Sequence, residues 1–251
     1  MKIAYCAHSK VPSKEANSIH VMKMCQALAK QGHGIELVVP NLQTELGDPF
    51  KYYGVSKLFS ISHIVWPKIK FGVFLYSFRA LQYMKKNHMD AVYGRDLTTC
   101  FFAAVNGFPT IWESHEPIEY MGFPYTWFFR SMVRKKSFIK LVVITSTLKK
   151  YYIEKHGISP EKITVLPDCS DVVDLTNTRP IELEKNGYKA NLGYIGQLYP
   201  GKGMEILSQL IPLCPNVMFH IIVELISNKN KGSDYRCSTQ TTRTNHITTI
   251  D

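Results

Sequence analysis

The segment Gly196-Gln197-Leu198-Tyr199-Pro200-Gly201-Lys202-Gly203 joins a short apolar run to a helical one. Its glycines let backbone N–H groups approach an anion closely, and Lys202 adds a full positive charge beside the helix start. Phosphate or diphosphate is the ligand that such a loop suits. A glycine-rich turn with a solvated lysine accounts for the same residues. The spacing comes near the Gly-x4-Gly-Lys-Ser/Thr phosphate loop, but Gly203 stands where the magnesium-holding hydroxyl belongs, which disfavours a nucleotide hydrolase of that type. A second set of polar residues falls where short apolar runs end. It comprises His8-Ser9-Lys10, Gly94-Arg95-Asp96, Glu113-Ser114-His115-Glu116, Ser146 and Asp168–Asp171.

The elements that must position these groups follow a rhythm of strand, loop and helix. Lys2–Ala7 is a short apolar run, and His20–Lys30 carries Val21, Met24, Cys25 and Leu28 at helical spacing before Gly32 and Gly34. Ile35–Val39 is the next strand, which completes a βαβ unit and implies parallel pairing. The pattern predicts further helices at 69–86, 98–106, 127–140 and 147–156, with strands at 91–93, 110–112, 141–145 and 163–166. The fold class expected is α/β, a Rossmann-like doubly wound parallel sheet over residues 1–175. In such sheets ligands sit beyond the carboxyl ends of the strands, where these polar groups collect. Residues 176–189 read as a linker. Residues 190–223 hold one more strand-loop-helix-strand, the start of an incomplete second Rossmann-like domain. The polar stretch 224–251, rich in Ser, Thr and Asn, reads as irregular or disordered.

The apolar fraction of 45% suits a globular chain, and no stretch reaches the length of about 20 apolar residues that spans a bilayer. No two of the six cysteines are spaced Cys-x-x-Cys, so neither a metal nor a redox motif is indicated. With no export signal visible, free thiols and a cytoplasmic location are expected. The net charge of +10 is uneven: residues 123–155 hold eight Lys/Arg against Glu154 alone. Residues 125–140 mix aromatic and basic side chains and are a candidate for peripheral contact with an anionic membrane on its inner face. A helix with its apolar side in the core explains them as well. No nucleic-acid-binding motif accompanies the charge.

Taken in order, these pieces resemble the group 1 glycosyltransferases, glycosyltransferase family 4, whose GT-B fold pairs two facing Rossmann-like domains. The resemblance rests on Ile3–Ala7, Ala16-Asn17-Ser18-Ile19-His20-Val21, Ala27–His33, Tyr93–Asp96 and Trp112–Glu116. It continues through Val143–Ser146, Leu166–Asp171, Gly193–Leu198 and Lys202-Gly203. It implies transfer of a sugar from a nucleotide diphosphate sugar to a glycan or lipid-linked acceptor, with retention, and without a metal or other cofactor. Gly196, Gln197, Lys202 and Gly203 would hold the donor diphosphate, with Lys202 neutralising the leaving group. Gln197 replaces the arginine common in the family and brings no charge. His115 matches a histidine that hydrogen-bonds the donor sugar, while Asn17, Ser18 and Arg95 would face the acceptor. The family also carries a glutamate pair eight positions apart in its second domain. Here only Glu224 follows Glu205, and position 232 is glycine. A truncated or frameshifted product is therefore expected, and a non-catalytic remnant is the alternative.

Overall fold

A computed structural model of the chain describes residues 1–42, 46–172, 176, 187–196, 201–223 and 247–249. The chain divides into two compact units, Met1–Asp171 and Val172–Asp251. The first ends four residues before the expected boundary.

In the first unit the strands are β1 Lys2–Cys6, β2 Gly34–Pro40, β3 Ser60–Ile64, β4 Ala91–Gly94, β5 Thr110–Ser114, β6 Phe138–Val143 and β7 Ile163–Val165. The helices between them are α1 Ala16–Lys30, α2 Pro49–Tyr53, α3 Gly72–Lys86, α4 Leu97–Val105, α5 Tyr125–Val133 and α6 Ser146–His156. All seven strands run parallel in the order β3-β2-β1-β4-β5-β6-β7. The order reverses between β1 and β4, so the carboxyl ends of those two strands flank the crevice of a doubly wound sheet.

Alternation along the strands feeds two cores. Ala4, Cys6, Val92, Trp112, Leu141 and Val143 pack with α3, α4, α5 and α6 on one face. Tyr5, Ala7, Leu37, Val39, Tyr93 and Val142 pack with α1 and α2 on the other. Successive residues of β1 thus point to opposite layers, as the period of a strand requires.

Three readings of the sequence need correction. Strand β3 was not anticipated. It is an edge strand whose serines and histidine dilute the apolar signal, and Ser60 and Ser62 donate hydrogen bonds of 2.6 and 2.5 Å to Glu36 of β2. The helix expected over 127–140 stops at Val133. The chain then turns through Arg134-Lys135-Lys136, where the Lys135 and Phe138 N–H groups bond to Met132 and Lys135 carbonyls, and enters β6 at the buried Phe138. Within the stretch expected to be irregular, Ile247–Thr249 forms a strand, β10 below, and its β-branched residues suit an extended backbone. The expected linker 176–189 and the rest of the 224–251 stretch lie largely outside the described residues.

The second unit pairs β8 (Ala190–Ile195), β9 (Val217–Val223) and β10 (Ile247–Thr249) in parallel, in the order β10-β9-β8. One helix, α7 (Met204–Leu210), connects β8 to β9, and Pro212 follows in a single 3-10 turn.

Gly94, the last residue of β4, permits the closest backbone approach at the switch point. A Cβ added there would lie 2.2 Å from the Cys6 carbonyl oxygen, which is well inside contact distance. Gly94→Ala is therefore expected to lower stability by about 1–3 kcal/mol through overpacking. Urea unfolding of the full chain measures this, and an unchanged midpoint would contradict the close approach.

Candidate functional site

At the carboxyl end of β5 the chain leaves the buried Trp112 and presents Glu113, Ser114 and His115. The turn is fixed from both sides. Ser114 Oγ donates to the Glu116 carbonyl at 2.8 Å, and the Tyr152 hydroxyl of α6 donates to the same carbonyl at 3.0 Å. Ser114 Oγ and the Tyr152 hydroxyl are themselves 2.9 Å apart.

Glu113 is 4% exposed and lies at the centre of a cluster. Its Oε1 sits 2.6 Å from His115 Nε2 and 3.8 Å from Arg95 Nε. His20 Nε2 approaches the same oxygen to 2.8 Å, at an angle outside ordinary hydrogen-bond geometry. The Tyr93 hydroxyl donates to Oε2 at 2.7 Å. Burial works to raise the Glu113 pKa, but the His115 and Tyr93 hydrogen bonds and the close approach of His20 outweigh it and hold the carboxyl well below its usual range. The Tyr93 hydroxyl is driven the opposite way, first by burial and then by the adjacent carboxylate. Tyr5 stacks on Tyr93 with centroids 5.2 Å apart and helps exclude water from the carboxylate.

A second chain of contacts leads outward. Arg95 Nη1 donates to Asn17 Oδ1 at 2.6 Å, and Asn17 Nδ2 donates to Ser9 Oγ at 2.6 Å. Asn17 and His20 lie three residues apart on α1 and so share a helix face. The far nitrogen of His20, Nδ1, is 3.8 Å from Asp168. Ser9, Asn17, His20, Arg95, Glu113 and His115 thus form one polar constellation at the carboxyl ends of β1, β4 and β5.

The sequence expectations fare unevenly. His115, Arg95 and Asn17 are brought together. Ser18 is not: it is fully buried, its hydroxyl bonded at 2.5 Å to Ser13 Oγ and at 2.9 Å to the Glu15 carbonyl. It holds the start of α1 because it lies one residue, or about 100° of helix, from the face that carries Asn17 and His20. Asp96 turns inward and caps α4 by accepting from the Thr98 N–H at 3.1 Å. Glu113 stands in the polar run expected at this strand end, but the sequence assigns no role to it, to His20 or to Tyr93. A carboxylate directly after the apolar pair Ile111-Trp112 and two residues before a histidine is the available signal.

The second unit holds the other expected group. Gln197 lies outside the described residues. Gly201 and Gly203 adopt φ of 83° and 92°, a region that favours glycine, and Lys202 between them is exposed. The Gly201 N–H already donates to Glu205 Oε1 at 3.0 Å, and backbone N–H groups of this turn depress the Glu205 pKa. An acidic side chain of the chain itself thus occupies backbone donors expected to meet a phosphate. Gly196 follows β8, and its N–H bonds to the Ile222 carbonyl at 3.2 Å.

His20, Glu113 and His115 also offer three ligand atoms within 4.8 Å of one another, a spacing a divalent cation could bridge. The Arg95 guanidinium 3.8 Å from the shared oxygen opposes a second positive charge there.

The profile of glycosyltransferase family 4 matches residues 18–172, which include all of this constellation except Ser9 and Asn17. The chain belongs to glycosyltransferase family 4. No curated protein matches it. Among solved structures it resembles a glycosyltransferase from Rickettsia africae at 16% identity and a TM-score of 0.61, covering 89% of this chain and 60% of that one. It also resembles Anabaena HepE, solved with UDP and glucose, at 15% identity and a TM-score of 0.61, covering 88% and 60%. A sucrose-phosphate synthase from Thermosynechococcus elongatus matches at 12% identity and a TM-score of 0.61, covering 91% and 64%. The chain therefore spans about three fifths of the length of these structures, and the likeness establishes the GT-B type of fold.

The depressed Glu113 pKa has a consequence for stability. Its folded value lies below its unfolded one, so its contribution is complete above the ordinary carboxylate range and is lost as pH falls through that range. Glu113→Gln is expected to be less stable than the parent at neutral pH and to lose stability less steeply below about pH 5. Urea unfolding at stepped pH reads both, and identical slopes would refute the assignment.

Proposed function

We propose that the protein serves transfer of a sugar from a nucleotide diphosphate sugar to a glycan or lipid-linked acceptor, with retention and without a metal. The observation that supports this most is the cluster around Glu113 at the switch point of a family 4 fold. Asn17 and Arg95 are the groups proposed to hold the acceptor, and His115 is the group proposed to meet a sugar hydroxyl. Arg95 supplies beside Glu113 the positive charge that a metal would otherwise bring. Lys202 is the group proposed to neutralise the leaving diphosphate, with Gly196, Gln197 and Gly203 around it. That role is electrostatic and strongest as the bond to the sugar breaks.

One sequence feature favours a second reading, binding without turnover: the acidic pair expected after Glu205 is absent. The two readings separate in one assay. The purified chain is incubated with UDP-, ADP- and GDP-sugars and membrane extract as acceptor source, and nucleoside diphosphate release is followed. Sustained release, reduced about 100-fold by Lys202→Ala, supports transfer and discards the second reading. Binding to the acceptor or membrane without release of nucleoside diphosphate supports the second, a non-catalytic remnant that binds acceptor or membrane only. Absence of both binding and release overturns the proposal.

Membrane contact is a further part of the proposal. Helix α5 buries Phe128, Phe129 and Met132, and it exposes Trp127 and Arg130. Phe123 ahead of it is 86% exposed, and Arg134, Lys135 and Lys136 after it are exposed. Aromatic and basic groups together suit an anionic interface. No helix among the described residues is long and apolar enough to cross a membrane. The chain is expected to co-sediment with phosphatidylglycerol vesicles at low salt and to be released by high salt. Failure to sediment at low salt removes this part.

A further inference from the structure

We infer that Glu113 is a positioning residue: by taking the Nε2–H of His115 it fixes that imidazole in one tautomer and leaves Nδ1 as the nitrogen that meets a substrate hydroxyl. The inference rests on the glycosyl-transfer reading of the crevice, in which His115 touches a sugar.

The argument begins with what Glu113 can do. Its carboxyl is held ionised by its donors, and an ionised carboxylate only accepts hydrogen bonds. At 2.6 Å from His115 Nε2, it requires that nitrogen to carry a proton whenever the ring is neutral. The lone pair then resides on Nδ1. Among the described residues His115 makes its polar contacts through Nε2 alone, so Nδ1 remains to accept from an incoming O–H.

The carboxylate cannot swing away to solvent. Tyr93 holds Oε2 at 2.7 Å, while Arg95 and His20 flank Oε1 at 3.8 and 2.8 Å. The backbone that carries the ring is pinned by Ser114 and Tyr152. The rings of His20 and His115 meet edge to face at 88°, with centroids 5.3 Å apart, which limits rotation of His115 about its own axis. Orientation and tautomer are therefore set by the same small group of residues. A histidine oriented in this way recognises a hydroxyl as an acceptor, whereas the opposite tautomer would present a donor. This difference matters for a neutral sugar, whose hydroxyls must each find a partner when water is excluded.

Two-bond 1H–15N correlation spectra of the labelled full chain test this directly at a pH above the ordinary histidine range. The His115 signals are identified by their loss in His115→Gln. The expected result is a single Nε2–H tautomer in the parent and a mixture of tautomers in Glu113→Ala. A proton on Nδ1 in the parent overturns the inference without recourse to any variant. An unchanged single tautomer in a folded Glu113→Ala chain overturns it equally, because a merely structural carboxylate would leave the ring as it was. The spectrum needs no substrate. Failure of the transfer assay would therefore remove the functional reading while leaving the tautomer result to stand or fall by itself.

Discussion

A charged carboxylate buried under two tyrosines is the constraint around which the first unit is arranged. Removing such a group from water costs several kcal/mol unless donors replace the lost hydration. Glu113 meets this requirement with a phenol, two imidazoles and a guanidinium drawn from β4, α1 and the turns after β4 and β5. None of these is a sequence neighbour except His115. The carboxylate thus ties together segments that hydrophobic packing alone would leave with some freedom to slide, and it does so where the sheet reverses its order.

The sheet makes that convergence geometrically possible. Parallel strands deliver all their carboxyl ends to one side, and β1 and β4 are adjacent although 84 residues separate the end of one from the start of the other. Gly94 lets the two backbones meet, so the Arg95 N–H reaches the Cys6 carbonyl at 3.1 Å. That contact sets where the Arg95 side chain departs, and the side chain then spans from Asn17 to Glu113. A single close approach of backbone is in this way converted into the placement of a charged group.

Much of this was legible in the sequence, and the failures have physical causes. The βαβ rhythm announced the doubly wound sheet because buried parallel strands are apolar runs that need no alternation. Strand β3 lacked that signature because it lies at the edge, where Ser60, Ser62 and His63 are tolerated. The end of α5 was misplaced because basic residues suit both a helical face and a turn. At the site, Arg95 and His115 were legible from their positions after apolar runs, and Asn17 from the resemblance to the family. The resemblance placed Ser18 with them, whereas helical geometry pairs Asn17 with His20. Glu113 is legible as part of the polar run that ends the strand, but nothing in the sequence shows that Tyr93, Arg95 and His20 converge on it. In the Gly196–Gly203 loop the lysine was legible, but the internal carboxylate that engages the Gly201 N–H came from Glu205, beyond the glycines that drew attention.

The charge accounting within the cluster narrows what it can recognise. Arg95 is its one permanent cation, and that charge already faces the Glu113 carboxylate and the Asn17 amide oxygen. Little positive potential remains there for a phosphate. What the cluster does offer is a set of directional groups: the Asn17 amide, held by Arg95 and by the buried Ser9, and the imidazole of His115, held by Glu113. Such groups discriminate hydroxyls by hydrogen-bond direction, because a misplaced donor or acceptor leaves a buried partner unpaired. The buried carboxylate is what fixes them in place, since it faces the guanidinium and holds the imidazole by Nε2. A crevice organised in this manner suits a sugar ring better than an anion.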